Sequence, residues 1–96
     1  MAEYRLSPAA QRDLDGIFNY TFQQWGAAQA VRYIDILEAA CTELVETPSQ
    51  GQDCSYIRPG YRRRHIERHI VYYRMEPFGV AIIRILHYRQ DVLRHL

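Results

Sequence analysis

The sequence predicts an α+β domain. An N-terminal strand leads into an antiparallel two-helix hairpin, and a three-stranded antiparallel sheet then completes a mostly antiparallel sheet. Three observations predict this. Apolar residues recur at spacings of three and four from Ala10 to Leu44, the period of helices buried along one side. From Tyr61 onward the pattern changes to short runs rich in Tyr, Ile and Val, which read as strands. The 96 residues are enough for one domain with one core, residues 1–96.

The elements follow in order. Glu3–Ser7 alternates polar and apolar and is expected to be a first strand. Ser7 is a good helix N-cap, and Pro8 suits the first helical position. In the helix that follows, Ala10, Leu14, Ile17 and Thr21 form one stripe, with Phe18, Phe22 and Trp25 in a second stripe beside it. Asp13 and Asp15 are read as solvated acids early in this helix. Gly26 breaks the pattern. A second helix is expected from Ala27 to Thr47, closed by Pro48, with Ala30, Ile34, Leu37, Cys41 and Leu44 facing inward. Two helices joined this tightly should form a hairpin.

Residues 48–60 read as loop from their Pro, Gly, Ser, Gln and Asp content. Strands are expected at Tyr61–Ile66, His69–Met75 and Val80–His87, the last two joined by the turn "EPFG". "VAIIRIL" is apolar on both parities and is expected to be central, covered on both sides. Ala81, Ile83 and Ile85 should meet the helices, leaving Val80, Ile82, Arg84 and Leu86 on the other face. The last residues, "QDVLRHL", read as a short helical turn or a tail.

The composition is that of an ordinary soluble protein, 48% hydrophobic and 24% charged. Residues 1–15 contain Glu3, Arg5, Arg12, Asp13 and Asp15 and no apolar run, so no signal peptide is expected. No run approaches the roughly 18 apolar residues of a spanning helix. Cytoplasmic location without membrane contact is the expectation. Cys41 falls on the helical stripe and is expected to be a buried thiol, whereas Cys54 lies in the polar loop. Neither has metal-ligand spacing, and a disulfide is not expected in a reducing compartment.

All the basic side chains other than histidine are arginine; lysine is absent. They are unevenly placed. Residues 1–55 hold three arginines against eight acids, a net of −5; residues 56–96 hold nine against three, a net of +6. "YRRRHIERHIVYYR" alone carries five arginines. Its "HIERH" puts His65 and His69 four apart around Glu67, a metal spacing on a helix but not on strand and turn, so no metal or other cofactor is expected. An arginine in a central strand needs a partner or a wet groove, because burying it unpaired is costly. Arg84 therefore points to a sheet face that is at least partly open. Arg62, Arg64, Arg74 and Arg89, with His87, are candidates for the same basic surface. Three readings stand: the arginines are solvated or pair with Glu67, Glu76 and Asp91, or they form an anion or nucleic-acid surface, or a protein partner buries them.

"LHYR" ends the last strand. Here His87 has the chemistry of a general acid, Tyr88 could stack on a base and Arg89 could hold a phosphate. Glu46, at the end of the second helix, is the best available carboxylate base for such a trio, and it is poorly placed.

Two motifs carry a resemblance. The first is L-x-x-x-A-x-x-D-L-x-x-I followed by WG, formed by Leu6, Ala10, Asp13, Leu14, Ile17, Trp25 and Gly26. The second is I-x-R-I-L-H-x-R-x-D over Ile82–Asp91. Together they are fairly specific, and over nearly its whole length the chain resembles the ParE toxins of the RelE/ParE superfamily. That resemblance implies a helical hairpin on an antiparallel sheet and the toxin role in a bacterial type II toxin–antitoxin pair. It also implies neutralisation by a ParD-like antitoxin in a hetero-oligomer, and DNA gyrase as the target. The alternative is the RelE branch, which cleaves mRNA on the ribosome; His87 and Tyr88 are the residues that favour it, and the missing lysines count against it. Phe18, Phe22 and Trp25 are the expected antitoxin contacts, unless they are simply core.

Overall fold

The computed structural model describes residues 2–96. Its elements run β1 (Glu3–Leu6), α1 (Pro8–Trp25), α2 (Ala27–Glu46), a 3-10 turn (Pro48–Gln50), β2 (Gln52–Asp53), β3 (Tyr61–Ile66), β4 (His69–Glu76), β5 (Gly79–His87) and a second 3-10 turn (Val92–Arg94). The sheet has five strands in the order β1-β5-β4-β3-β2. β1 runs parallel to β5 and every other neighbour is antiparallel.

Local chemistry sets the helices. The Ser7 hydroxyl accepts the Ala10 N–H at 3.0 Å and donates to the Ile83 carbonyl at 2.7 Å, so the N-cap of α1 is also pinned to β5. Pro8 opens the helix, where no N–H is needed. Gly26 ends α1 with a φ of 88°, a left-handed conformation that glycine adopts without a Cβ penalty, and its N–H bonds the Phe22 carbonyl. α2 starts one residue later. The hairpin places Ala10, Leu14, Ile17, Leu37, Ala40, Cys41 and Leu44 against Val71, Tyr73, Val80, Ile82 and Ile85 of the sheet. Each fully buried Leu, Ile or Val there contributes about 1.5–3 kcal/mol.

The expected facing of the last strand is reversed over its first half. Val80 and Ile82 are buried under the helices, not Ala81 and Ile83. The pairing of β4 with β5 slips between Tyr72 and Tyr73: Tyr72 lies opposite Arg84, but Tyr73 lies opposite Ile82. Ile83 is the extra residue of a bulge, and past it the parity changes, so Ile85 does face the helices as expected. β5 lies between β1 and β4, and the middle position of the sheet belongs to β4.

The far face of the sheet is partly covered. Tyr72 and Leu86 pack with Cys54, Ile57, Val92 and Leu96 in a second small core, roofed by the 54–60 loop and the C-terminal turn. Cys41 and Cys54 are both buried free thiols on opposite sides of the sheet, and burial pushes the Cys41 thiol up to about 12. No described helix is long and apolar enough to cross a membrane.

Candidate recognition groove

β1 ends opposite Ile82, so beyond that residue the outer edge of β5 has no neighbouring strand. Asp13 of α1 takes its place. Asp13 Oδ2 accepts the Ile85 N–H at 2.9 Å and Arg84 Nε–H at 2.8 Å, and Oδ1 accepts Arg84 Nη2–H at 2.9 Å. Arg84 Nη1 also donates to the His95 carbonyl, which ties the C-terminal turn to the same point. Asp13 is therefore not a solvated acid. It is half of a mostly buried, bidentate pair, and that hydrogen bonding holds the Arg84 guanidinium above its already high ordinary pKa.

Next to this clamp, a groove of about 840 Å³ opens between α1, α2 and the β4–β5 end of the sheet. Its inner wall is a chain of polar aromatic groups. The Tyr33 hydroxyl accepts the Arg68 N–H at 3.2 Å and shares a 2.6 Å hydrogen bond with His69 Nδ1. His69 lies edge-on to His87 with 5.4 Å between ring centres. His87 Nδ1 accepts the Arg89 N–H at 3.2 Å. His87 therefore accepts at Nδ1 and keeps an Nε2–H. Burial, then the neighbouring His87, push the His69 pKa down to about 4, so its ring is neutral near pH 7. The outer walls carry Arg12, Arg32 and Arg68, with Tyr20 and Trp25 exposed at the rim.

The structure divides the six residues expected to form one basic surface. Residues directly opposite on paired strands share a face. Arg62 and Arg64 lie opposite Tyr73 and Val71, on the helix side. Arg62 donates to the Ser49 and Gly51 carbonyls, with its Nε buried and unpartnered, and Arg64 bonds the Ala40 carbonyl and Glu43. Arg74 is on the far face, paired with Glu76. Arg84 is held by Asp13, and Arg89 Nε donates to the Tyr88 hydroxyl. His87 alone of the six lines the groove.

His65 and His69 stand on opposite faces of the β3–β4 hairpin, separated by a turn with Glu67 at φ 54°. Glu46 is remote from His87. Tyr33, which bonds the neighbour of His87, precedes Glu46 by thirteen residues on α2, about 20 Å along the axis. Of the aromatic stripe, Trp25 borders the groove, while Phe18 and Phe22 stack on each other with ring centres 6.3 Å apart and do not line it. Phe22 and Trp25 are exposed and not core.

Sequence reasoning missed Tyr33, Arg12, Arg32 and Arg68 as groove residues. The available signal was modest: Tyr33 sits one position before Ile34 of the α2 stripe, at the edge of its apolar face.

Fold and groove define a class first: small α+β proteins with a helical hairpin laid on one face of a mixed sheet. A solved chain described as "Chromosomal ParDE TA system from P. aeruginosa" has this fold, with a TM-score of 0.78 over 91% of the present chain and 96% of its own, at 21% identity. The chain belongs to the ParE toxin family. The family model described as "ParE toxin of type II toxin-antitoxin system, parDE" matches residues 4–92. Toxin ParE1 of Caulobacter vibrioides is 42% identical over 96 residues, covering 100% of this chain and 99% of that protein. Toxin ParE1 of Mycobacterium tuberculosis (strain ATCC 25618 / H37Rv) is 40% identical, with 99% and 98% covered. Toxin ParE of Escherichia coli is 36% identical, with 100% and 94% covered.

Proposed function

We propose that this ParE toxin acts by inhibiting DNA gyrase and so blocking replication, that it works in the cytoplasm, and that a ParD-like antitoxin neutralises it in a hetero-oligomer. The observation that carries this reading is the full-length likeness to toxins named ParE. The geometry agrees with action through binding. The Tyr88 hydroxyl is engaged by Arg89, and Glu46, the best carboxylate base the sequence offers, is far from His87. The exposed aromatics Phe22 and Trp25, with Phe18 beside them, suit the apolar side of an antitoxin helix.

The test is induction of the chain alone in a bacterial host, with DNA breaks and mRNA cleavage read separately. Gyrase-linked DNA damage and rescue by a co-expressed ParD-like antitoxin are the expected outcome. Codon-specific mRNA cuts with intact chromosomes would instead assign the chain the chemistry of the RelE branch.

A further inference from the structure

Away from the groove, Arg63 and Arg89 bond only neutral partners. Arg63 Nε donates to the Gln52 side-chain carbonyl and Arg89 Nε to the Tyr88 hydroxyl, so neither guanidinium is neutralised by its hydrogen bond. Two rings stand with them. His65 shares the far face of β3 with Arg63, and its Nε2–H donates to the Glu67 carbonyl at 2.8 Å. Tyr88 is exposed just past β5, with its hydroxyl held by Arg89. The two rings are nearly parallel, 25° apart, with centres separated by 6.1 Å. Flat groups in contact lie about 3.5 Å apart, so a third ring between them needs about 7 Å, an opening of only about 1 Å more. The edge of β3 adds a pocket. The Tyr61 carbonyl accepts the Cys54 N–H, so by alternation Arg63 and His65 turn their backbone groups to the same edge, and β2 supplies no strand opposite His65. There a pocket of about 290 Å³ opens, with Gln50, Gln52, Arg63, His65 and Ile70 in its lining. At about 30 Å³ per water that is about ten waters, the bulk of one nucleobase. No carboxylate is in this lining among the described residues, and none of its residues lines the larger groove.

We propose that this strip, from the pocket across His65 to Tyr88 and Arg89, binds single-stranded nucleic acid. One base enters the pocket beside His65, the next stacks on Tyr88, and Arg63 and Arg89 hold phosphates. Splayed bases are the ligand that uses every part of the strip. Their faces take the rings, their edges take the two glutamine amides and the free backbone of His65, and their phosphates take the arginines. A duplex keeps its bases paired and stacked, and so offers the strip phosphates alone. An acidic protein surface would engage the arginines and leave the rings and the pocket amides without partners. The strip holds the strand and breaks no bond in it. This goes beyond the gyrase reading, which invokes protein contact only, and it gives the end of β5 a role without proton transfer.

The experiment titrates end-labelled oligonucleotides of about ten nucleotides with the full chain and reads fluorescence anisotropy, at about 50 and 200 mM salt. Single strands of DNA and RNA should bind, and the matching duplexes more weakly. A preference between the two strands names the natural one, and either result supports the strip. Tyr88→Ala should weaken binding at least about fivefold, the yield of one lost base–aromatic stack, while Tyr88→Phe keeps most of it. Arg63→Gln should lower both the affinity and the salt dependence, the latter by about 0.7 in log–log slope. Arg5→Gln, on the same face of the sheet but at its opposite edge and paired with Glu3, should change neither. The proposal is overturned by absence of binding at the lower salt, by a duplex bound as tightly as its strands, or by undiminished binding in folded Tyr88→Ala. Polyglutamate that displaces the strand as well as unlabelled strand does, at equal charge, also overturns it and assigns the strip to an acidic protein. The assay reads no toxicity, so its failure leaves the gyrase reading standing, and an inert chain that still binds the strand refutes only that earlier reading.

Discussion

Asp13 and Arg84, seventy-one positions apart, meet through two parallel hydrogen bonds of 2.8 and 2.9 Å at the unpaired edge of β5. The pair substitutes for a missing strand. Asp13 satisfies the Ile85 N–H that β1 stops too early to reach, and Arg84 neutralises the carboxylate and holds the C-terminal turn through the His95 carbonyl.

A first prediction follows from the shape of that cluster. The side chains are 20% and 14% exposed, so removing one partner leaves a largely buried charge. Arg84→Met and Asp13→Ala should each lower stability by about 2–3 kcal/mol, and the double variant should cost much less than their sum. Asp13→Asn should fall between, because an amide oxygen still accepts the Ile85 N–H. Denaturant midpoints with unchanged slopes check this; simple additivity would show that the pair carries no coupling.

The contrast between what was legible and what was not is physical. α1 and α2 were readable because a 3.6-residue stripe, a Ser-Pro start and a glycine stop are all local signals, and their ends fall within a residue of expectation. The three long strands were readable for the same reason. The facing of Val80 and Ile82 was not, because Ile83 shifts the pairing and a bulge leaves no mark in an all-apolar run. The role of Asp13 was hidden because its partners lie at the other end of the chain. The groove was hidden for a related reason. Arg12, Arg32 and Arg68 come from three elements, and only the tertiary fold shows that they lack acids while arginines in the dense "YRRR" stretch have found carbonyls and carboxylates.

A second prediction concerns the helix aromatics. Phe18 and Phe22 stack on α1 outside the groove, with Phe22 about half exposed. Serine at both positions should leave the fold intact and weaken antitoxin binding by about tenfold or more if the pair is a contact of ordinary interface strength. Affinity of the folded double variant for a ParD-like antitoxin decides it. An unchanged value removes this pair from the interface and leaves Trp25 as the aromatic contact.

A third prediction is a dependence of stability on pH. His69 has a folded pKa of about 4, against the ordinary 6.5 it regains when unfolded. Between those values the unfolded chain binds a proton that the folded chain does not. Stability from this group is therefore complete above pH 6.5, is lost as the pH falls toward 4, and falls no further below that. Allowing for screening of a partly exposed ring, the loss is about 1–2 kcal/mol. His69→Gln should flatten this part of the stability profile. Tyr33→Phe should weaken the folded state at neutral pH, since it removes the 2.6 Å bond to the ring and the acceptor of the Arg68 N–H. An unchanged acid limb in His69→Gln would assign it to other groups.

The last prediction separates binding from proton transfer at the end of β5. His87 Nδ1 accepts the Arg89 N–H, and the ring packs between His69 and Tyr88. Glutamine can reproduce the acceptor and much of the reach, but it cannot act as a general acid near neutral pH. Such an acid usually contributes about 10²–10⁴ in rate. A ribosome-dependent nuclease using His87 would thus be close to inactive as His87→Gln. A gyrase inhibitor should lose little, within about threefold of the parent toxicity, a shift below about 0.7 kcal/mol in binding. Arg84→Ala should be the more harmful change, because it frees the C-terminal turn and strands Asp13. The comparison must be made at equal folded protein, measured beside growth inhibition, so that the instability of Arg84→Ala is not mistaken for a lost contact. If His87→Gln is inert while Arg84→Ala inhibits growth in full, the end of β5 is a catalytic site and the target is RNA.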